Sequence, residues 1–381
     1  MIDMQRSKMD VISQMSARRT GGQVRQPRAL KQLARVSVVI PCYNYGRYLR
    51  QCVESVICDQ PGVDVEAIII DDKSTDDSLT TARKLEGEYT NVRVIANEVN
   101  LGHIKTFNKG LDAATAPYVL LLSADDLATP GALTRAAELL EAEPTVGMVY
   151  GRAVGFSCEL PPSRTERSSW IVWRGVDWLR QRCQSGYNVV ASPEVVMRTS
   201  IIRATGGYRS DLPHAGDFEM WLRTSAVSDV GFLSGVDQAY YRSHDRNMNK
   251  TMFKSGSGKG QLIDLKQRWQ SFEVVFDGVG RGLAEGASLH QIARGTMARH
   301  ALEQINYAYA RGFRDFPIDE FEAFARELDP KYLETPLGRG LTLRKRLGMV
   351  SIPIHPLWAL PAVSWRLKEV ALRWRWNKIG V

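Results

Sequence analysis

The sequence is poor in the features that staple small or secreted proteins together. Its 381 residues contain five cysteines, Cys42, Cys52, Cys58, Cys158 and Cys183, with no C-x-x-C pair and no metal-ligand spacing. The odd count and the spacing exclude a cysteine-held zinc and disfavour a disulfide framework, so reduced thiols and a cytoplasmic compartment are expected. Long apolar runs are also missing. The first 35 residues hold no apolar core of signal-peptide length, so secretion is not expected. The uncharged stretch 347–365 is broken by Pro353, Pro356 and Pro361 and followed by charge, which argues against a spanning helix. No internal repeat of solenoid length is present.

Negative charge is scarce at both ends. Residues 1–35 hold eight Lys/Arg against two Asp, and residues 341–381 hold eight against one Glu. Those balances of +6 and +7, taken from a formal net charge of +8, leave −5 for residues 36–340. Basic ends around a mildly acidic body suggest contact with an anionic surface, lipid or nucleic acid; solvated tails that bind nothing are the alternative. Residues 1–35 are polar and basic and read as poorly ordered.

From residue 36 the pattern becomes regular. VSVVIP (36–41), VEAIIIDD (65–72), VRVIAN (92–97), YVLLLSADD (118–126) and VGMVYGRAVGF (146–156) read as strands. YGRYLRQCVESVI (45–57), TDDSLTTARKLEGEY (75–89), HIKTFNKGLDAA (103–114) and the segment from Pro130 through Glu143 read as helices. This alternation predicts an α/β fold with a parallel sheet covered on both faces, and in such sheets ligands bind beyond the carboxyl ends of the strands. The polar clusters PCYN, DDKSTDD and SADD all fall at those ends. Residues 157–250 form a looser α+β region rich in aromatics. TMFKSGSGKG (251–260) reads as a mobile loop, and 262–330 as helices with apolar recurrence at three and four.

The clustered ends carry chemistry. A carboxylate at Asp71 or Asp72 can accept a hydrogen bond from a nucleobase N–H or from ribose hydroxyls. Asp125 and Asp126 offer hard oxygen ligands suited to Mg²⁺ or Mn²⁺, ions that bind few protein carboxylates and keep substrate phosphates in their remaining positions. Together they describe a nucleotide-diphosphate site. The plainer readings are a helix-entry cap for the first pair and a turn before Pro130 for the second.

The ordered set VSVVIPCYNYGRYLRQCVESV, VEAIIIDDKSTDDS and NEVNLGHIKTFNKGLDAATAPYVLLLSADDLATPGAL resembles the family 2 glycosyltransferases of the GT-A fold, from about residue 36 to about 250. The resemblance implies a Rossmann-like, mainly parallel sheet with helices on both faces, here followed by a C-terminal helical region. The expected organisation is a basic segment 1–35, a GT-A domain 36–250, a helical extension 262–340 and a basic, Trp-rich tail 341–381. By resemblance, Pro41, Tyr43 and Asn44 line a nucleoside pocket and Asp72 contacts the base, while Asp71 supports the loop. Asn100 and Gly102 match the turn that approaches the nucleotide, and Asn108 and Gly110 continue that match. SADD stands where the family has D-x-D. Ser123 replaces the first aspartate, so Ser123 and Ala124 fall on the donor and Asp125 becomes the expected ligand of Mn²⁺ or Mg²⁺. That departure puts metal affinity in doubt.

GGYRSDLPHAGDFEMWLRTS (206–225) matches the family's second half, with Asp217 as general base and Glu219 the weaker candidate. AYYRSHDRNMNKT (239–251) resembles the Tyr-Arg-x-His close, which makes Arg242 a phosphate contact and His244 a further metal ligand. An inverting transferase needs one carboxylate to take the acceptor's proton and no covalent intermediate. The implied enzyme moves a sugar from a nucleotide-diphosphate donor, a UDP-sugar by preference, to a glycan or lipid-linked glycan in polysaccharide biosynthesis. The alternative is a non-catalytic relative that binds nucleotide sugar or glycan. Trp178 and Trp221 read as core more than as sugar platforms, and Cys42 as a small buried residue.

The tail WRLKEVALRWRWNKIGV (365–381) places Leu367, Val370, Ala371 and Trp374 together at helical spacing between basic residues, with Trp358, Trp365 and Trp376 nearby. Tryptophan and Arg/Lys around an apolar stripe suit a bilayer interface. A peripheral position on an anionic membrane is therefore expected and a nucleic-acid partner is not; packing on the protein's own surface is the alternative.

Overall fold

A computed structural model describes residues 15–166, 169–245, 247, 258–347 and 356–381. The β-branched runs form strands because their side chains are buried on both faces: Val36, Val38, Val39 and Ile40 have no exposure at all. The described strands are β1 (Gln23–Arg25), β2 (Ala34–Cys42), β3 (Val63–Asp71), β4 (Val92–Ala96), β5 (Tyr118–Leu121), β6 (Leu127–Ala128), β7 (Val146–Tyr150), β8 (Ala153–Phe156), β9 (Ser169–Trp173), β10 (Val196–Arg198), β11 (Asp229–Ser234) and β12 (Ala239–Arg242). Nine form one sheet in the order β1-β9-β11-β7-β10-β5-β2-β3-β4, and β6-β12-β8 form a small second sheet.

β4, β3, β2 and β5 run parallel, joined by the helices Gly46–Ile57, Ser78–Glu88 and His103–Ala113. The first helix turns Leu49, Cys52, Val53 and Val56 into the core, the three-and-four spacing of one helical face. Each such aliphatic side chain contributes about 1.5–3 kcal/mol when fully buried. The third helix lies close against β2. A Cβ at Gly110 would stand 2.1 Å from Val39 Cγ1, so only glycine permits that approach.

Three departures from the sequence pattern stand out. The run 146–156 is two strands in different sheets. The chain leaves β7 at Gly151, where a Cβ would meet Gln238 Cγ at 2.4 Å. The short β10 inserts antiparallel between β5 and β7. The N-terminal segment, expected to be poorly ordered, is docked from residue 15 onward. Ala17 is fully buried, Trp173 Nε1 donates to Thr20 Oγ1 at 3.0 Å, and β1 pairs with β9. Residues 1–14, and 251–257 of the expected mobile loop, lie outside the described residues.

The chain divides into two compact units. The first comprises residues up to 179, 188–244 and 378–380; in it, the Gly380 carbonyl accepts a hydrogen bond from the Tyr150 hydroxyl. The second comprises 180–187, 245–377 and 381. Its helices include Lys259–Asp277, Gly286–Arg311, Ile318–Leu328 and Pro336–Leu347, and the helix Pro356–Ile379 supplies most of its last part. Leu289, Ala293, Met297, Ala301 and Ile305 form the buried stripe of the longest helix. Among the described residues no helix is long and apolar enough to cross a membrane.

Candidate active site

The site lies in the first unit, where β2, β3, β4 and β5 end. Asn44, just past β2, adopts a left-handed conformation with φ of 60°, as does Lys73 past β3. Asparagine tolerates that region because its side chain bonds locally. Asn44 Oδ1 accepts from the Thr75 N–H at 2.7 Å and the Asp76 N–H at 3.3 Å, and the Asn44 N–H donates to Ser74 Oγ at 3.0 Å. Asn44 therefore ties two loops together. Tyr43 beside it is exposed. Burial pushes the Cys42 thiol up to about 12, which makes it inert. The Pro41 carbonyl accepts from the Ala124 N–H at 3.3 Å, so the SADD loop continues alongside the end of β2.

The two aspartates at the end of β3 differ in their contacts. Asp72 is the one that holds the loop. Its Oδ1 accepts from Asn97 Nδ2 and the Leu101 N–H, both at 2.8 Å, and its Oδ2 from the Gly102 N–H at 3.0 Å. Asn100 Nδ2 donates to the Asp72 carbonyl at 3.1 Å, and Gly102 takes φ of 79° at that turn. Asp71 is as deeply buried, with Oδ2 accepting from the Ser74 N–H at 3.2 Å. Its Oδ1 is buried with no hydrogen-bond partner among the described residues. A buried carboxylate oxygen without a donor is costly, so Asp71 presents the unsatisfied acceptor. Asn97, at the end of β4, was not singled out from sequence. It also accepts from Lys109 Nζ at 2.6 Å and donates to Thr106 Oγ1 at 3.3 Å.

The SADD loop meets the second sheet. Asp125 Oδ2 lies 3.0 Å from His244 Nε2, and the Asp125 carbonyl accepts from Arg242 Nε at 2.8 Å. Asp126 Oδ1 accepts from the Arg242 N–H at 2.9 Å. Burial, and next the neighbouring Asp125 charge, raises the Asp126 carboxyl well above the usual range. The Arg242 guanidinium packs between the Tyr48 and Phe156 rings, 4.4 Å from each centroid, and donates to Gln51 Oε1 at 2.7 Å. These contacts make Arg242 a buttress beneath the loop. His244 stacks on Tyr48 and meets Tyr45 edge-on. Ser123 is partly exposed at the loop's edge.

As a cation site, Asp125 and His244 supply one carboxylate oxygen and one imidazole nitrogen at a common point. Among the described residues no group of three or more His, Cys, Asp or Glu is placed to hold a metal. Two protein ligands fit Mg²⁺ or Mn²⁺ only when phosphate oxygens complete the shell, which is how these ions usually bind with nucleotides.

Asp217 opens the helix Gly216–Val227 and is only partly buried. Its Oδ1 accepts from the Phe218 N–H at 2.8 Å, and Ser192 Oγ donates to its Oδ2 at 3.4 Å. Ser192 belongs to the 3₁₀ turn Ser192–Glu194, which sequence reading passed over. Glu194 in that turn is buried, which pushes its carboxyl up to about 8; it accepts from the Ala191 N–H at 3.0 Å. Glu219 is fully buried in a two-bond pair with Arg223, at 2.8 and 2.9 Å. Arg223 also donates to the carbonyls of Thr205, Gly206 and Gly207. Glu219 is thus a structural anchor. Asn108 bonds the Tyr208 backbone in both directions, at 2.8 and 2.7 Å. Trp178 and Trp221 are buried core residues, as expected.

Residues 37–202 match the family described as Glycosyl transferase family 2. That segment is similar to family 2 glycosyltransferases. It is 27% identical over 217 residues to an uncharacterised glycosyltransferase of Haemophilus influenzae, covering 55% of this chain and 65% of that protein. The chain spans less than two thirds of the length of the curated relatives it matches. Two solved structures share the glycosyltransferase fold. Staphylococcus aureus TarS 1-349 in complex with UDP-GlcNAc has a TM-score of 0.54 at 18% identity, covering 82% of this chain and 92% of that one. A mannosyltransferase from Pyrobaculum calidifontis in complex with GDP-Man and Mn²⁺ has a TM-score of 0.52 at 16% identity, covering 97% and 94%.

Proposed function

We propose that the protein is an inverting glycosyltransferase that moves a sugar from a nucleotide-diphosphate donor, a UDP-sugar by preference, to a glycan or lipid-linked glycan. The observation that carries this reading is the meeting of Asp125 and His244, 119 positions apart in the chain, at 3.0 Å beside the parallel strand ends. A Mn²⁺ or Mg²⁺ ion held by those two side chains and the donor's phosphates would offset charge on the leaving diphosphate. The nucleoside falls to the loops of Pro41, Tyr43 and Asn44 and to the turn of Asn100 and Gly102. Asp71 Oδ1 is the acceptor for a base N–H or a ribose hydroxyl, with Asp72 fixing the turn behind it. Ser123 and Ala124 border the donor, and Arg242 holds the loop from below.

Asp217 takes the acceptor hydroxyl's proton as that oxygen attacks the anomeric carbon. The Ser192 hydroxyl orients Oδ2, and the Phe218 N–H engages Oδ1. The non-catalytic alternative draws support only from Ser123 in place of an aspartate. A two-ligand site completed by phosphate tolerates that replacement. The last helix supports a peripheral position at the cytoplasmic face of a membrane. Val363, Leu367, Val370 and Trp374 recur at four, three and four along it and are 55%, 65%, 61% and 42% exposed.

The test is thermal unfolding with UDP-GlcNAc and GDP-Man, each with Mn²⁺ or with chelator, followed by an assay for release of nucleoside diphosphate. Stabilisation by at least one donor that requires Mn²⁺, with slow hydrolysis, is the expected result. Equal stabilisation in chelator removes the cation assignment, and no response to a full panel of nucleotide sugars removes the enzyme reading.

A further inference from the structure

The second unit contains a cavity of about 250 Å³ that donor binding does not use. Its lining includes Arg182, Arg299, Lys368 and Arg375 against Glu303. Four positive side chains thus face the one carboxylate of Glu303. Arg182 and His300 are buried, whereas the side chains of Arg299 and Lys368 are 46% and 64% exposed, so the cavity runs inward from solvent. Glu303 Oε1 accepts from Lys368 Nζ at 2.9 Å and lies 4.0 Å from Arg299 Nε. Arg375 donates to Gln181 Oε1 at 3.0 Å. Burial, and next the charges of Arg268, Arg299 and Lys368, holds the His300 imidazole well below its usual pKa. The ring is therefore neutral near pH 7, and the excess positive charge comes from guanidinium and ammonium groups. That chemistry suits phosphate oxygens. The volume is below that of a site enclosing a whole drug-sized ligand, and it suits a headgroup.

The helix Pro356–Ile379 says where such a headgroup comes from. At 100° per residue, Val363, Leu367, Val370 and Trp374 fall within about 60° of one another. Arg366 and Arg373 flank this stripe on one side. On the other side Lys368 and Arg375 turn into the cavity. An exposed apolar stripe between two basic rows is the surface that seats at an anionic bilayer.

We propose that the cavity binds the terminal phosphate of a membrane lipid while the Val363–Trp374 stripe seats in the bilayer interface, an inference that rests on the membrane reading of the last helix. The test uses the full chain and vesicles of phosphatidylcholine carrying phosphatidic acid or, at matched surface charge, phosphatidylserine. Wild type should bind the phosphatidic acid vesicles on the order of tenfold more tightly, each basic contact adding to the affinity. Arg299→Gln with Lys368→Gln, both exposed, should lose that preference and keep the weaker binding. Arg375→Gln checks the same preference should the pair melt early. Leu367→Glu with Val370→Glu should lose vesicle binding of both kinds.

Wild-type binding without a preference for phosphatidic acid overturns the cavity assignment and leaves the membrane reading standing. Absence of binding to any vesicle overturns both. Inorganic pyrophosphate bound in solution through Arg299 and Lys368, with unchanged vesicle binding in their variant, makes the ligand a soluble anion and overturns the lipid source. A dimer in sedimentation velocity that Leu367→Glu with Val370→Glu dissociates makes a second copy the occupant of the stripe, and overturns the proposal in the same way.

Discussion

The strand-end half of the site and the half built on the helix Gly216–Val227 treat their carboxylates in opposite ways. Asp72 receives three hydrogen bonds and is almost fully buried. Asp217 is partly exposed, and its Oδ2 has a long contact from Ser192. A carboxylate saturated by N–H donors is a strut, because those donors stabilise its charge and fix its position. Asp217 stands at a helix start, where it accepts from the Phe218 N–H and the Ser192 hydroxyl and keeps part of its surface open to solvent. The same contrast separates Glu219, locked to Arg223, from Asp217 two residues earlier.

Replacing Asp217 by Asn breaks the comparison most severely. The shape is kept and the proton acceptor removed, so transfer should fall by roughly 10²-fold or more while donor affinity stays near wild type, as single-turnover assays and donor titrations will show. Turnover within a few-fold of wild type would remove Asp217 from the reaction.

Asp72→Ala should act on stability. It leaves the Leu101 N–H without its acceptor and takes one of two acceptors from the Asn97 amide and the Gly102 N–H, at a cost of about 1–3 kcal/mol. Asp71→Asn should cost much less stability and weaken nucleotide binding instead. Chemical unfolding and donor titration of both variants separate strut from ligand, and equal melting of the two would merge their roles.

Asp125→Ala should lower Mn²⁺-dependent donor affinity by about tenfold, since one of two protein ligands is lost and phosphates remain. His244→Ala should do the same, and isothermal titration with and without Mn²⁺ reads it. Affinity insensitive to both variants would leave the pair as a structural hydrogen bond.

The smallest effect concerns Glu194 beneath the Asp217 half. Its folded-state pKa is raised from 4.5 to about 8 by burial. The folded protein therefore holds a proton that the unfolded chain releases. This stability is fully present below about pH 4.5 and is lost as pH rises towards 8. Glu194→Gln removes that dependence, so the variant should gain steadily on wild type as pH rises from 5 to 8. A constant difference in unfolding free energy across that range would place the Glu194 proton elsewhere.

Much of this was legible in the sequence, for a physical reason. Strands buried on both faces leave unbroken aliphatic runs, and helices that cover them repeat at three and four, so β2 to β5 and their helices appear in the pattern. Their polar ends mark the site. The division between Asp71 and Asp72 was not legible, because adjacent carboxylates differ only in which backbone N–H groups reach them. β10 was missed because three residues carry no periodicity. The break between β7 and β8 is hidden because the turn at Gly151 interrupts neither hydrophobicity nor strand propensity. The docking of residues 15–25 rests on Thr20 and Ala17, neither of which stands out from a polar tail.

The hydrogen bonds around Asn44 and Asp72 join residues about 30 positions apart, whereas Asp125 and His244 close a loop of 119. Loop-closure entropy grows with the logarithm of length, so the longer closure costs only about 1.2 kcal/mol more. It must nonetheless wait for the second sheet to assemble, because His244 follows β12 directly. The loops around Asn44 and Asp72 can order from a contiguous stretch of nascent chain, as parallel strand–helix units emerge one after another. The Asp125–His244 contact exists only when β12 has returned. During synthesis the protein therefore passes through a stage in which the strand-end loops are built and the contact between the two sheets is not.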